Sequence, residues 1–239
     1  MNQTEALRIR RVQANTKGRD IAVGDVHGHF TRLQSALNAI GFNPEVDRLF
    51  SVGDLVDRGP ESAKCIEWLS QPWFHTIQGN HEDIAVRHVK HGKVDTGIYL
   101  ANGGAWFLAM NADEQAEYAT LFADQPIALE VETAGGLVGL VHADCPFESW
   151  DDLRLALEGD PRGSRQVVDY CQWSRQRHED RDRRIVVGVK AVVVGHTPMA
   201  DPLILGNVHY IDTGGWFPDN GRFTFLELNT LEVIQGAEQ

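Results

Sequence analysis

Thiols are scarce in this chain. Three cysteines, Cys65, Cys145 and Cys171, stand far apart in 239 residues, and no C-x-x-C pair occurs. An odd and scattered set argues against a zinc ribbon and a disulfide framework, and fits a reducing cytoplasm. Cys145 is close in sequence to His142, but a buried, inert thiol is its expected state. Long apolar runs are missing too. No uninterrupted segment is long enough to cross a bilayer, and residues 1–18 are polar and basic without the apolar stretch of a signal peptide. The expectation is a cytoplasmic protein with no membrane partner. Positive charge is in deficit: 22 Lys and Arg against 34 Asp and Glu give a formal net charge of -12. General nucleic-acid binding needs a basic face, so no nucleic acid is expected as a partner. A phosphorylated substrate stays open, because bound cations reverse the sign of a local field.

What is present is an ordinary globular composition, 42% hydrophobic and 23% charged, sufficient for a sizeable core. Repeats, low-complexity tracts and linkers are absent, so a single domain over 1–239 is expected, with residues 1–18 as a tail or irregular strand. The chain is organised around Gly53-Asp54-Leu55-Val56-Asp57-Arg58-Gly59. This loop follows Leu49-Phe50-Ser51-Val52, which reads as a buried strand. Burial alone does not explain two carboxylates and a guanidinium at a strand end. A turn with an internal Asp–Arg salt bridge, ahead of a helix opened by Pro60, is the simpler alternative.

The neighbouring segments repeat the arrangement. Strand 20–23 runs into Gly24-Asp25-Val26-His27-Gly28, and a helix follows with Phe30, Leu33, Leu37 and Ile40 at helical spacing and Gly41 as its cap. Strand 48–52 precedes a helix over about 60–70, with Ile66 and Leu69 inward. Strand 73–77 precedes Gly79-Asn80-His81-Glu82, which opens a third helix. This is the βα rhythm of a layered α/β protein, whose sites gather beyond the C-terminal ends of strands. Residues 96–110 and 113–123 read as two helices. Segments 127–133 and 137–141 read as a β-hairpin across Gly135-Gly136, ending in His142-Ala143-Asp144. Residues 147–184 look polar and irregular, with a short helix from Ser149 to Gly159 and mostly solvated charges near the end. Strand 191–194 delivers Gly195-His196-Thr197-Pro198. Segments 208–211, 223–228 and 231–234 are closing strands, with Asp212-Thr213-Gly214-Gly215 as a turn.

Five strand ends therefore carry polar groups: Asp25 with His27, Asp54 with Asp57, Asn80 with His81, His142, and His196. Each has a structural explanation on its own. Asn80 could be a helix cap with Asp83 three positions on, and either late histidine could be a hydrogen-bonded core residue. Together they form a set of N and O donors at the edge where an α/β sheet builds its site. Such donors, without thiolate, suit Mn²⁺, Fe or Zn²⁺. They are too many for one ion and about enough for two, which can share a carboxylate and a water, lower that water's pKa and polarise a phosphoryl oxygen. Arginine can grip the phosphate oxygens bidentately.

The three Gly-Asp/Asn motifs followed by separate histidines resemble the calcineurin-like metallophosphoesterases. Within these, the chain is similar to the PPP-type serine/threonine protein phosphatases of phage lambda and bacteria. The resemblance extends from about Asp20 to Phe225 and includes Pro72-Trp73-Phe74, Asn102-Gly103-Gly104-Ala105-Trp106-Phe107, His142-Ala143-Asp144 and Tyr210-Ile211-Asp212-Thr213-Gly214. It implies two mixed β-sheets packed as a sandwich flanked by helices, in four layers. It implies that Asp25 and His27 bind one metal, that Asp54 bridges, and that Asn80, His142 and His196 bind the second. His81 resembles the family's general acid, Asp57 orients it, and Arg58 holds phosphate; Arg175, in Trp173-Ser174-Arg175, matches a second phosphate-binding arginine. The implied cofactor is two divalent ions, foremost Mn²⁺, and the implied substrates are phosphorylated proteins or peptides, phosphotyrosine and small aryl phosphates included. One departure stands out: Gln78 occupies the position before Gly-Asn-His where the family has arginine, so no arginine role transfers there. His29 and His209 are expected to be structural. Symmetrical dinucleoside tetraphosphate hydrolysis is the nearest rival, and Glu82 after Gly-Asn-His, where that branch has Asp, favours the protein phosphatases. A catalytically silent binding protein would lack a ligand or the acid, and none is missing. Oligomeric state is not readable from the sequence.

Overall fold

The computed structural model describes residues 8–92, 94–159 and 164–234. The first seven residues of the expected tail lie outside this range. In chain order, β1 (Ile9–Val12) and β2 (Asp20–Val23) precede α1 (Phe30–Ala39), and β3 (Arg48–Ser51) leads to α2 (Cys65–Leu69). Then β4 (Phe74–Thr76) runs into α3 (Asn80–His91), followed by α4 (Thr96–Ala101), α5 (Ala105–Leu108) and α6 (Ala112–Ala123). The hairpin β5 (Ala128–Thr133) and β6 (Gly136–Val141) comes next, then α7 (Trp150–Glu158), α8 (Ser164–Trp173) and α9 (Gln176–Asp180). The chain closes with β7 (Ala191–Val194), β8 (Leu203–Leu205), β9 (Val208–Tyr210), β10 (Phe225–Glu227) and β11 (Glu232–Ile234).

The strands form a six-stranded sheet, β1-β5-β6-β7-β9-β8, and a five-stranded sheet, β11-β10-β2-β3-β4. Both are mixed. In the smaller sheet β2, β3 and β4 are parallel and β10 runs against β2. In the larger, β6, β7 and β9 are parallel while β5 and β8 run the other way.

Strand periodicity explains how each sheet meets two layers. Ala22, Phe50, Leu129, Leu140 and Val193 point into the space between the sheets. Their neighbours Ile21, Val23 and Leu49 pack outward against Phe30, Leu33 and Leu37 of α1. On the far side, Val192 and Val194 pack against Trp150, Leu153 and Cys171. With both faces covered, the central strands read as continuous apolar runs rather than alternating ones. The expected sandwich flanked by helices is what forms. Helix α1 buries Phe30, Leu33 and Leu37, and Gly41 follows it at φ +63, the left-handed position where glycine costs least.

Several local expectations change. The segment after Pro60 does not enter a helix directly; it turns, passes a 3-10 helix at Ser62–Lys64, and only then forms α2, whose buried residues are Cys65 and Trp68, with Ile66 and Leu69 packed at the margin. The helix expected over 96–110 breaks at Gly103, whose φ of +93 is incompatible with continuing it, and a Cβ on the next residue, Gly104, would overlap the Tyr99 ring. Within 147–184 the short helix expected from Ser149 to Gly159 forms as α7, but the rest is not irregular: it holds α8 and α9, which its polar side chains hid. Gln172 and Arg177 are buried because they satisfy buried partners, Arg177 by a 2.8 Å salt bridge to Asp144. Ile9–Val12 is a true edge strand, parallel to β5, and β8 is an additional short strand at the opposite edge. Among the described residues no helix is long and apolar enough to cross a membrane.

Trp150 is fully buried and donates its indole N–H to Glu130 at 2.8 Å, joining α7 to the six-stranded sheet. Trp150→Ala removes the largest side chain of that layer and strips a buried carboxylate of a donor. We expect a loss of about 3–5 kcal/mol of unfolding free energy, read from the midpoint of urea denaturation.

Candidate metal centre and phosphate site

Every polar motif singled out in the sequence sits just past the C-terminal end of a strand. Asp25 and His27 follow β2, Asp54, Asp57 and Arg58 follow β3, and Asn80 and His81 begin α3 after β4. His142 follows β6 and His196 follows β7. Parallel strands carry these loops to one end of the sandwich, where the two sheets face each other. Asp25, His27, Asp54, Asp57, Asn80, His81, His142 and His196 are all buried.

Asp54 is the point of convergence. Its Oδ2 lies 3.7 Å from His27 Nε2, 3.9 Å from His81 Nε2 and 3.3 Å from His142 Nε2. Two groups of donor atoms, His27–Asp54–His81 and Asp54–His142–His196, each fall within 4.8 Å, and Asp54 belongs to both. Asp25 joins the first group through Oδ2, 3.9 Å from His27 Nε2. Asn80 joins the second: its Oδ1 is 2.9 Å from His142 Nε2 and 2.8 Å from His196 Nδ1.

The hydrogen bonds behind these atoms set which lone pairs face inward. His27 Nδ1 donates to the Val56 carbonyl at 2.8 Å, and His142 Nδ1 donates to the Val52 carbonyl at 2.6 Å. Each ring is thereby turned so that Nε2 faces the carboxylates, the arrangement used to orient metal-binding imidazoles. The result is a buried cluster of acceptors aimed at one another, which a proton or a cation must separate. His196 Nε2 and Asp212 Oδ2 have no hydrogen-bond partner among the described residues. The residues therefore fit divalent metal ions.

Ionisation follows the same geometry. Burial opposes charge on Asp54, but His142 and His81 outweigh it and hold the carboxyl well below its ordinary range. Burial also lowers His142, yet the Asp54 carboxylate raises its pKa overall. Burial and then Asp212 push Asp25 well above the usual carboxylate value, and burial lifts Asp212 to about 6. Burial and then His142 depress His196 to about 3, keeping it neutral.

Next to this cluster lies a second unit. His81 Nδ1 donates to Asp57 Oδ2 at 2.7 Å, and Trp106 Nε1 donates to Asp57 Oδ1 at 2.6 Å. Arg58 Nη2 is 3.3 Å from His81 Nε2, and its guanidinium lies 4.3 Å from the centre of the Trp216 ring. Arg175 precedes α9 and reaches the His196 carbonyl at 3.4 Å, which puts it at the border of the cluster.

The loops that carry these groups are strained. His27, Asp54, Asp57, Arg58 and His196 all have positive φ, between +43 and +68. They lock together through the backbone: Val26 and His27 donate to the Asp54 carbonyl at 3.0 and 2.8 Å, and Gly28 donates to Leu55 at 2.8 Å. Glu82 accepts from the N–H groups of Asp54, Leu55 and Gly79 at 3.0, 2.8 and 2.8 Å, tying two loops to one carboxylate. A Cβ on Gly79 would overlap Asp54 Oδ1.

Some residues were not foreseen in these roles. Asp212 was read as a turn residue, and its place beside Asp25 needs β9 to lie next to β7. The helix cap is Gly79 with Glu82, so the simpler alternative of an Asn80 cap with Asp83 does not form; Asp83 pairs with Arg87 at 2.6 Å. Trp106 and Trp216 were visible as aromatic residues, but only the fold brings them to Asp57 and Arg58. Gln78 is turned away from phosphate chemistry: its amide donates to the Phe122 carbonyl and accepts from Gln172, both at 2.9 Å. His29 sits at the start of α1 with Nδ1 bonded to the His27 carbonyl at 2.7 Å, and His209 lies within β9. Cys145 is buried, and burial pushes its thiol up to about 11, so it is inert.

Comparison with known proteins bears on the family and the fold. The family model described as calcineurin-like phosphoesterase matches residues 21–200. Serine/threonine-protein phosphatase 1 of Salmonella typhimurium is 34% identical over 92% of this chain and 96% of its own length. Serine/threonine-protein phosphatase 2 of Escherichia coli is 32% identical over 93% and 99%. A solved structure put forward as a diadenosine tetraphosphatase superposes with a TM-score of 0.65 at 20% identity, covering 95% of this chain and 96% of that one, which shows a shared fold.

Asp54→Asn keeps the shape of the central side chain but removes its charge. We expect lower metal content per chain after identical dialysis, measured by elemental analysis; full retention would show that the two donor groups do not depend on a shared carboxylate.

Proposed function

The chain belongs to the calcineurin-like phosphoesterase family, and from that premise we propose that it hydrolyses phosphoserine and phosphothreonine in proteins, and accepts phosphotyrosine and small aryl phosphates. The observation that carries this reading is the position of Asp54 between two donor groups, with an acid–orienter pair and an arginine alongside. In the proposed assignment Asp25 and His27 would hold one ion and Asn80, His142 and His196 the other, with Asp54 belonging to both donor groups. Manganese is the proposed ion, and the same N and O donors admit iron or zinc. Two bound divalent ions would bring the pKa of water toward neutrality and offset charge on the phosphoryl oxygens.

The side chains supply the rest. Arg58 and Arg175 hold phosphate oxygens, and the contact of Arg58 with Trp216 keeps its guanidinium from swinging free. A phosphate gripped by Arg58 has its ester oxygen beside His81, 3.3 Å from that guanidinium in the present arrangement. His81 then protonates the departing alkoxide from Nε2, while Asp57 holds Nδ1–H and stabilises the ring. The burial of this pair keeps bulk water from competing for the proton.

Serine/threonine-protein phosphatases are 34% and 32% identical to this chain, whereas asymmetrical bis(5'-nucleosyl)-tetraphosphatases that cover 89% of it are 24–25% identical, which favours phosphoproteins over dinucleotides as substrate. Glu82, after Gly-Asn-His where the dinucleotide branch has Asp, points the same way as a motif; its carboxylate reaches three backbone N–H groups in two loops.

His81→Asn should retain metal but slow turnover of a phosphoserine peptide about 10²–10⁴-fold, the usual contribution of a general acid; near-normal turnover in single-substrate kinetics would remove His81 from that role. Wild-type protein with restored Mn²⁺ is expected to prefer a phosphopeptide to diadenosine tetraphosphate at matched concentrations. The opposite preference would transfer the chain to symmetrical dinucleoside tetraphosphate hydrolysis.

A further inference from the structure

Asp57 is fully buried, and among the described residues its carboxylate is hydrogen-bonded by two rings only. His81 takes Oδ2 at 2.7 Å and Trp106 takes Oδ1 at 2.6 Å. A buried carboxylate depends on its donors both for its charge and for its orientation. The segment that brings Trp106 is built onto this loop. Gly103 stands at φ +93 so closely over the Arg58 backbone that a Cβ would overlap the Arg58 nitrogen. Beneath it, Asp57 and Arg58 adopt φ +68 and +66. Short helix α5 then presents the indole, whose ring is set edge-on to Phe107 and Tyr118 at centroid distances of 5.6 and 5.2 Å. These contacts fix the direction of the N–H.

We propose that Trp106 is a positioning residue for leaving-group protonation: by occupying Oδ1 it keeps Oδ2 on His81 Nδ1–H and so keeps Nε2 directed at the ester oxygen. The proposal rests on the phosphomonoesterase reading above. Trp106 does not touch the phosphate. Its loss therefore falls on the step in which the ester oxygen leaves, and it falls hardest where that oxygen is a poor leaving group. An alkyl ester needs the proton; a nitrophenyl ester leaves nearly unaided.

The test is Trp106→Phe, which keeps an aromatic ring and deletes the N–H, assayed in the metal-loaded protein on a phosphoserine peptide and on 4-nitrophenyl phosphate. We expect kcat on the peptide to fall about 10–100-fold, the range for a lost hydrogen bond to a charged group. On the aryl ester the fall is expected to stay below about 3-fold, with metal content and Tm unchanged. The double variant Asp57→Asn with Trp106→Phe should be no slower than Asp57→Asn alone, because the N–H acts through that carboxylate. Equal losses on both esters, or losses that multiply in the double variant, overturn the proposal. Trp106→Met, read in the same way, replaces Trp106→Phe if the latter does not accumulate as folded protein. Wild type run in parallel separates the two levels: if it hydrolyses neither ester, the phosphomonoesterase reading fails and this inference with it, whereas if it hydrolyses both and Trp106→Phe does not distinguish them, this inference alone is overturned.

Discussion

The molecule is organised by mutual repulsion among buried acceptors. Asp25, Asp54, Asn80, His27, His142 and His196 direct oxygen and nitrogen lone pairs at a common space from which bulk water is excluded. In a low-dielectric interior such a group is unstable unless positive charge stands among its members. The opposite directions in which Asp25 and Asp54 are displaced from ordinary carboxylate behaviour are the electrostatic signature of that demand. A divalent cation meets it better than scattered protons do, since it satisfies several donors at once and leaves the imidazoles neutral.

Holding such a cluster has a conformational cost. A non-glycine residue in the left-handed region gives up about 1–2 kcal/mol, and five residues of the site are held there. Against a net stability of about 5–15 kcal/mol for a whole domain, that strain persists only because the surroundings over-determine it. The interlocked amides of Val26, His27 and Gly28, the three-way grip of Glu82, and glycines placed where no Cβ fits supply the constraint. Two sheets sandwiched between helices supply the rigid base, since each strand that delivers a ligand is covered on both faces.

Charge is divided sharply at the site. Acidic and neutral donors gather at the metal cluster, while the guanidinium groups of Arg58 and Arg175 stand beside it. In a chain with net charge -12, positive charge beside this cluster comes from these two side chains, so the local field differs from that of the surface as a whole. The tryptophans fit the same division: Trp216 lies against the Arg58 guanidinium and Trp106 against the Asp57 carboxylate, one offering its ring face and the other its N–H.

The sequence by itself determined the βα rhythm, the β5–β6 hairpin, and which loops bring polar side chains to the strand ends. Each of those depends on local signals: apolar strands, glycines at turns, and polar residues that burial cannot explain. It misjudged the residues beyond α7, up to 184, where buried polar side chains such as Gln172 and Arg177 look solvated until their partners are known. Tertiary structure alone decided that Asp212 approaches Asp25, that Glu82 rather than Asp83 closes the α3 cap while binding the Asp54 loop, and that Trp106 reaches Asp57 across 49 positions of chain. The physical reason is the same in each case. A residue's type states which bonds it can make, but which partner lies within bonding distance is set by strand order and packing between elements far apart in sequence.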